Sequence, residues 1–340
     1  MTKRGWSLFL AMCLIWGLPY LFIRIAVEHV SPASLVFLRT ALAALVLLPL
    51  ALARREVAPV LARWRPLALF AAIEIMVPWV LLGHAEQRIS SSLAGLLVAA
   101  VPLFGALAFL VTTHAERFSR SQAAGLVLGF AGVACLVGLD LDHVDLLAVA
   151  EMLAVAVCYA AGPLVLTRWL ADVPGLGVMA CALTLTALVY LPFGVVDAPM
   201  GLPGEAWGSI AVLGLLCTAV AFVVFLELIR EAGPTRSTII TYVNPAVAIV
   251  LGVLLLDEAV TAGMLVGFPL ILVGCFVAAG GRGAADGTTA ASADPAADVA
   301  LEAECPVDLA APDPAGPGRP PGRAEEAGGA NPASGQTSSL

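Results

Sequence analysis

ERFSRSQAAGLVLGFAG (116–132) returns 142 residues later as EAVTAGMLVGFPLILVG (258–274). Glu116, Ser119, Gly125 and Gly132 thereby recur as Glu258, Thr261, Gly267 and Gly274. Upstream, Pro102 recurs as Pro245, each in the middle of a long apolar run, and more weakly Trp16 matches Tyr159 and Pro32 matches Pro174. Such self-similarity marks two structural repeats. Their apolar surroundings place both in a lipid bilayer. If each repeat holds an odd number of spans, the second copy sits upside down relative to the first.

Composition agrees with a bilayer setting. Hydrophobic residues make up 60% of the 340 residues and charged residues 12%, with a mean hydropathy of +0.97. Soluble domains carry about 25% charged residues. The formal charge of −8 belongs mainly to the C-terminal stretch: residues 1–280 hold 14 Lys and Arg against 16 Asp and Glu, residues 281–340 only 3 against 9. Nothing is basic enough for nucleic-acid binding. Seven cysteines are scattered with no C-x-x-C spacing, so neither a metal site nor a redox pair is expected, and no cofactor is implied. The first apolar stretch, after Lys3 and Arg4, is too long for a signal-peptide core and no small-residue cleavage site follows, so it reads as a retained span.

A membrane helix needs about 20 mostly apolar residues. Ten segments fit: 5–28, 32–52, 66–86, 90–112, 120–139, 146–168, 174–196, 206–229, 235–256 and 261–280. The short gaps at 28–32 and 256–261 predict tight helical hairpins. With the N-terminus inside, twelve loop Lys and Arg residues fall on the cytoplasmic side and only Arg88 falls outside. Ten spans return the C-terminus to the cytoplasm. The expected fold is therefore an all-α integral membrane protein with ten transmembrane helices in two inverted five-helix repeats, 1–140 and 141–281. The Ala/Gly/Pro-rich acidic tail, 282–340, cannot bury enough apolar surface to fold and is expected to be disordered.

Several pieces taken in order resemble the EamA-type members of the drug/metabolite transporter superfamily. They are Trp16-Gly17, Arg39 after Pro32, the run from Ser90 to Pro102 followed by Glu116-x-x-Ser119, and Gly233-Pro234 to Asn244-Pro245 followed by Asp257-Glu258-x-x-Thr261. The resemblance covers about 5–280. It implies ten helices in inverted repeats and alternating-access transport of small metabolites, amino acids among them. His114-Ala115-Glu116 departs from the pattern, since the family usually has a glycine before the glutamate, and Asp257 stands there in the second copy. Glu74 is not a recognisable family feature.

Ionisable residues inside lipid are costly and mark function. Arg39 lies about seven residues into span two and Glu74 about eight into span three; at 1.5 Å per residue their heights differ by roughly 8 Å. They are expected to pair, or to bind the two ends of a zwitterion; the structural alternative is an ion pair that fixes helix packing. Glu151, Glu227 and His84 are candidates, with Glu74, for a proton relay; equally, they are interface residues reaching water. Arg24 is expected to snorkel to the headgroups. Trp16, Tyr159, Tyr242 and Asn244 sit near mid-span, where aromatic faces suit an apolar or cationic solute and the amide offers donor and acceptor; core packing is the alternative. Pro245 removes the hydrogen bond to the carbonyl four residues back, at Thr241. Kinks are expected at Pro19, Pro102, Pro163 and Pro245. Glu116 and Glu258 read as N-terminal groups of the helices that follow, with Ser119-x-x-Gln122 a capping box. Small residues four apart, Ser121, Gly125 and Gly129 in span five, Gly263 and Gly267 in span ten, let helices approach closely as scaffold, or as a homodimer face.

These features favour a secondary transporter, with the lipid bilayer, a small solute and a proton as partners, in the cell membrane with both termini cytoplasmic. Inverted repeats with the solute site between them are common among such proteins. No Walker A sequence occurs, so ATP does not drive it directly. No H-E-x-x-H or G-x-S-x-G occurs either, so an intramembrane enzyme is not expected. The remaining alternative is a sensor or scaffold acting through its acidic tail; deleting residues 285–340 would separate the two.

Overall fold

The computed structural model describes residues 1–112, 119–139, 145–196, 201–233, 237 and 239–280; the side chains of 109–112, 279 and 280 are outside this set. All regular structure among the described residues is helical. Glu116, His143 and the acidic tail lie outside the described residues. The helices are α1 (Lys3–Ala26), α2 (Pro32–Ala53), α3 (Trp64–Glu86), α4 (Ser91–Val98 and Val101–Thr112), α5 (Arg120–Gly138), α6 (Leu146–Trp169), α7 (Gly175–Val196), α8 (Gly204–Ala232), α9 (Ile240–Leu255) and α10 (Ala262–Gly280). A helical turn at Val57–Leu61 precedes α3. The first eight are long and apolar enough to cross a membrane; α9 and α10 are shorter apolar helices.

The starts are set by capping side chains, which satisfy N–H groups that no helical carbonyl can reach. Ser31 accepts from the Ser34 N–H and is followed by Pro32, whose missing N–H costs nothing at a first turn. Ser90 accepts from Leu93, Asp145 from Ala148 and Thr261 from Met264. Ser119 and Gln122 form the full capping box, as the spacing predicted. The N–H of Ala148, next to Arg88, holds the Asp145 carboxyl below its usual range.

α3 and α8 each contain a π-helical stretch, Ala72–Met76 and Val212–Val220. There the hydrogen bonds run one residue further back, as from the Val77 N–H to the Ala72 carbonyl. π stretches inside α-helices are frequently found at functional sites. The two occupy equivalent places, in the third span of each sequence repeat. The helices continue through Pro19, Pro163 and Pro245. At Pro102 the ring does more than kink: α4 breaks at Ala99–Ala100.

Partner choice follows the small residues. α5 and α10 lie back to back over most of their length. A Cβ on Gly132 would stand 2.7 Å from the Ile271 nitrogen, and one on Gly125 2.9 Å from the Gly274 carbonyl oxygen. The glycine face expected as scaffold or dimer surface is thus used inside the chain: Gly267 packs on the Gly132 carbonyl, and Gly274 extends the contact to the Gly129 backbone. The hairpin expectation needs correcting. Turns do join α1 to α2 and α9 to α10, but α1 packs mainly on α9 and α8, and α10 on α5. Gly17 admits Val247 of α9 directly onto the α1 backbone, and that close fit outweighs the proximity a short turn provides. α6 packs on α3 and α4 just as α1 packs on α8 and α9. α2 lies along α7.

Candidate solute site

Arg39 projects from the middle of α2 and is 7% exposed. Its guanidinium lies over the Trp79 ring of α3, 3.6 Å from the ring centre. Its Nε donates to the Thr218 hydroxyl in the π stretch of α8, at 2.9 Å. Thr218 in turn donates to the Leu213 carbonyl, five residues back, at 2.7 Å. The π register therefore makes the hydroxyl an oriented acceptor for Arg39. Among the described residues Arg39 forms no ion pair. A buried cation without a carboxylate beside it is expensive, and a guanidinium is shaped to receive a carboxylate in two parallel hydrogen bonds.

Tyr159 of α6 is within reach of both Trp79 and Glu74. Glu74 sits in the π stretch of α3, its carboxylate lying directly over Gly162 of α6, where any side chain would collide with it. Its Oε2 is buried and, among the described residues, without a hydrogen-bond partner. Arg39 and Glu74 do not touch; Trp79 and Tyr159 belong to the same cluster and supply the aromatic surface. The second group of expected residues lies along α1, α8 and α9. Trp16 packs on Phe225 and Phe222, with ring centres 4.7 and 6.2 Å apart. The Asn244 amide, 9% exposed, donates to the Cys13 carbonyl at 3.2 Å and to the Ile240 carbonyl at 3.0 Å when its nitrogen faces them. Tyr242 faces Cys275 of α10.

Trp79 and Thr218 escaped the sequence reading. A signal for Trp79 was present: adding the repeat offset of 143 gives Phe222, while Tyr159 corresponds to Trp16. The pairs Trp79 with Tyr159 and Phe222 with Trp16 are thus equivalent contacts in the two repeats. Only the first has an arginine on it.

The expected relay residues are not brought together as one chain. His84 Nδ1 meets Glu151 Oε1 at 2.7 Å, and Arg88 pairs with the other Glu151 oxygen, at the end opposite the N-terminus. Glu227 lies at the N-terminal end, paired with Arg4 at 3.1 Å and Arg230 at 2.9 Å. Beside it opens a pocket of about 230 Å³ between α2, α6, α7 and α8, with Arg54, Thr167 and Arg230 in its wall. Glu74 is apart from both ends.

Two expectations are corrected at the far end. Arg24 does not reach outward: it donates to the Glu86 backbone carbonyl and pairs with Glu28 at 3.7 Å. The last carbonyls of a helix lack helical partners, so the end of α3 competes well with lipid headgroups. Glu258 does not cap its own helix, a task Thr261 performs. It crosses to α4, accepting from the Ser91 and Ser92 N–H groups at 2.7 and 2.9 Å and from the Ser92 hydroxyl. A carboxylate at a helix N-terminus is favoured by the exposed N–H groups and the dipole. Glu258→Ala is expected to cost about 1–2 kcal/mol, because two N–H groups lose a charged acceptor; a lowered melting temperature in detergent checks it.

The EamA-like transporter family model matches the chain twice, over residues 3–138 and 146–280. The chain belongs to that family: it is a multi-pass membrane transporter and not an enzyme. It is 28% identical over 249 residues to an uncharacterized inner membrane transporter of Escherichia coli, YedA, covering 71% of this chain and 79% of that protein. It is likewise 28% identical over 282 residues to a probable terminal-alkyne amino-acid exporter of Streptantibioticus cattleyicolor, covering 81% and 92%. A solved crystal structure shares the fold, with a TM-score of 0.58 at 22% identity, covering 82% of this chain and 98% of that one.

Proposed function

We propose that the protein is a secondary transporter of the cell membrane that exports a small organic solute, an amino acid or a related compound, by alternating access. The observation that carries this reading is Arg39: buried, stacked on Trp79, held through Nε by Thr218 and, among the described residues, without an ion pair. It would take the carboxylate of the solute. Glu74, with a buried oxygen lacking a hydrogen-bond partner among the described residues, would take the amino end, and Trp79 and Tyr159 would flank the side chain. The name of the Streptantibioticus relative supports an amino-acid class.

In the same reading all of α1–α10 span the bilayer as two inverted repeats, with both termini cytoplasmic. Support comes from the family model's two matches, the paired π stretches and the exchanged packing of α1 and α6. An odd number of spans per repeat turns one copy over, and the solute site then lies between them. Proton coupling supplies the driving force.

The test is flux of a panel of labelled amino acids and related metabolites in sealed vesicles under an imposed pH gradient. Wild type is expected to move at least one compound in response to the gradient. Glu74→Gln is expected to fold normally and lose that flux. Undiminished flux by Glu74→Gln would remove Glu74 from the site; no flux by wild type for any compound would remove the solute class.

A further inference from the structure

Glu86, the last residue of α3, is fully buried, and neither carboxylate oxygen has a hydrogen-bond partner among the described residues. Nothing in the proposed solute site uses it. The Ser91 hydroxyl, at the start of α4, is buried and lacks a partner among the described residues as well. The charged and titratable groups facing Glu86 are Glu258 from the α9–α10 turn, Arg24 and Tyr20 of α1, and Arg39 of α2. α6 presents Glu151 to α3, but that carboxylate is taken by His84 and Arg88. Arg24 spends its contacts on the Glu86 backbone carbonyl and on Glu28. Among the described residues Glu86 therefore has an acidic neighbour and no ion pair of its own.

A buried bare carboxylate without donors costs several kcal/mol, and such a group takes up a proton instead. A metal ion is a poorer fit, since no group of three metal-binding side chains occurs among the described residues and two arginines lie in range. The end of the molecule at which Glu86 lies is closed by Glu258, whose grip on Ser91 and Ser92 ties the α9–α10 turn to the start of α4. Opening that end must break this grip and admit water to Glu86.

We propose that Glu86 carries the coupling proton of the transport cycle, exchanging it with water when the Glu258 contact to α4 opens. The inference rests on the transporter reading above, with the proton as driving ion. In the closed arrangement the acid is neutral and needs no counter-charge. When that end opens, the carboxylate takes up a proton from the bath there; closure carries the proton into the protein, and its release to the opposite bath in the other half of the cycle completes one proton moved per turn.

Two measurements on the reconstituted full-length chain test this. Infrared difference spectroscopy at neutral pH reads protonated carboxylic acids without any solute. Wild type is expected to show such a signal, Glu86→Gln to lose a component of it, and Glu74→Gln to keep that component. A Glu86→Gln spectrum identical to wild type overturns the proposal. In vesicles, Glu86→Gln is expected to exchange labelled amino acid across the membrane but to build no gradient of it from a pH gradient. Retained pH-driven accumulation overturns the proposal too. If wild type moves no amino acid, the solute reading fails while the infrared result still decides whether Glu86 holds a proton. Should Glu86→Gln not fold, Glu86→Met, apolar and of similar length, replaces it in both measurements.

Discussion

Arg39→Lys is expected to lose high-affinity solute flux while remaining folded. Lysine keeps the charge but not the plane. It cannot cover the Trp79 ring as the guanidinium does at 3.6 Å, and it cannot offer a forked pair of donors to a carboxylate while holding Thr218. A hydrogen bond to a charged group contributes about 2 kcal/mol, so loss of one arm of the two-point contact to the solute predicts roughly a 30-fold weaker apparent affinity. Loss of the Trp79 platform that orients the cation adds to that. The effect should appear in the concentration dependence of flux and be small in the melting temperature. If Arg39→Lys transports with unchanged apparent affinity, Arg39 is a packing residue and the solute site lies elsewhere.

The second large effect concerns folding. Gly274→Leu is expected to abolish stable expression in the membrane. A side chain at 274 would run into the backbone of Gly129 on α5, and neither backbone can turn aside as a side chain can. Overpacking a core costs about 1–3 kcal/mol where side chains can adjust, and here the contact is backbone on backbone, so the upper end or more applies. In lipid no hydrophobic drive holds helices together, so close van der Waals fit is the main source of their association. Size-exclusion profiles of detergent-extracted protein provide the check: a monodisperse Gly274→Leu peak equal to wild type would show that α5 and α10 separate without consequence. Gly105→Leu, at a position with nothing within 4 Å of an added carbon, is the matched control.

Much of this could be seen in the residues themselves. Apolar length placed the helices, and Ser119 with Gln122 announced a helix start because capping is local chemistry. The glycines of α5 and α10 pointed to a close contact because small residues have few other uses in lipid. Arg39 stood out since a mid-span cation must be there for a reason. What was not visible depended on contacts between distant segments. Glu258 looked like the N-terminal group of its own helix, and only the folded chain shows it serving α4. Arg24 looked suited to headgroups, until the end of α3 proved to be beside it. Glu86 ends its span with nothing in the sequence to single it out; that it is fully enclosed depends on α1, α2 and the α9–α10 turn arriving around it. The π stretches carry no signature in hydropathy, which cannot distinguish one residue too many from a regular turn.

Those surplus residues have a consequence for anyone matching this chain to its relatives. Each residue of an ordinary helix advances the side chains by about 100° around the axis. Val77–Glu86 and Ala221–Ala232, which follow the π stretches, are therefore turned by roughly one residue step, about 100°, from where an unbroken helix would put them. A gap-free pairing with a homologue that lacks the extra residue would go out of phase beyond Met76 and Val220. It would equate Trp79 and Glu86 with positions that point another way, so equivalences there must be judged on which surface a residue occupies and not on its count along the helix.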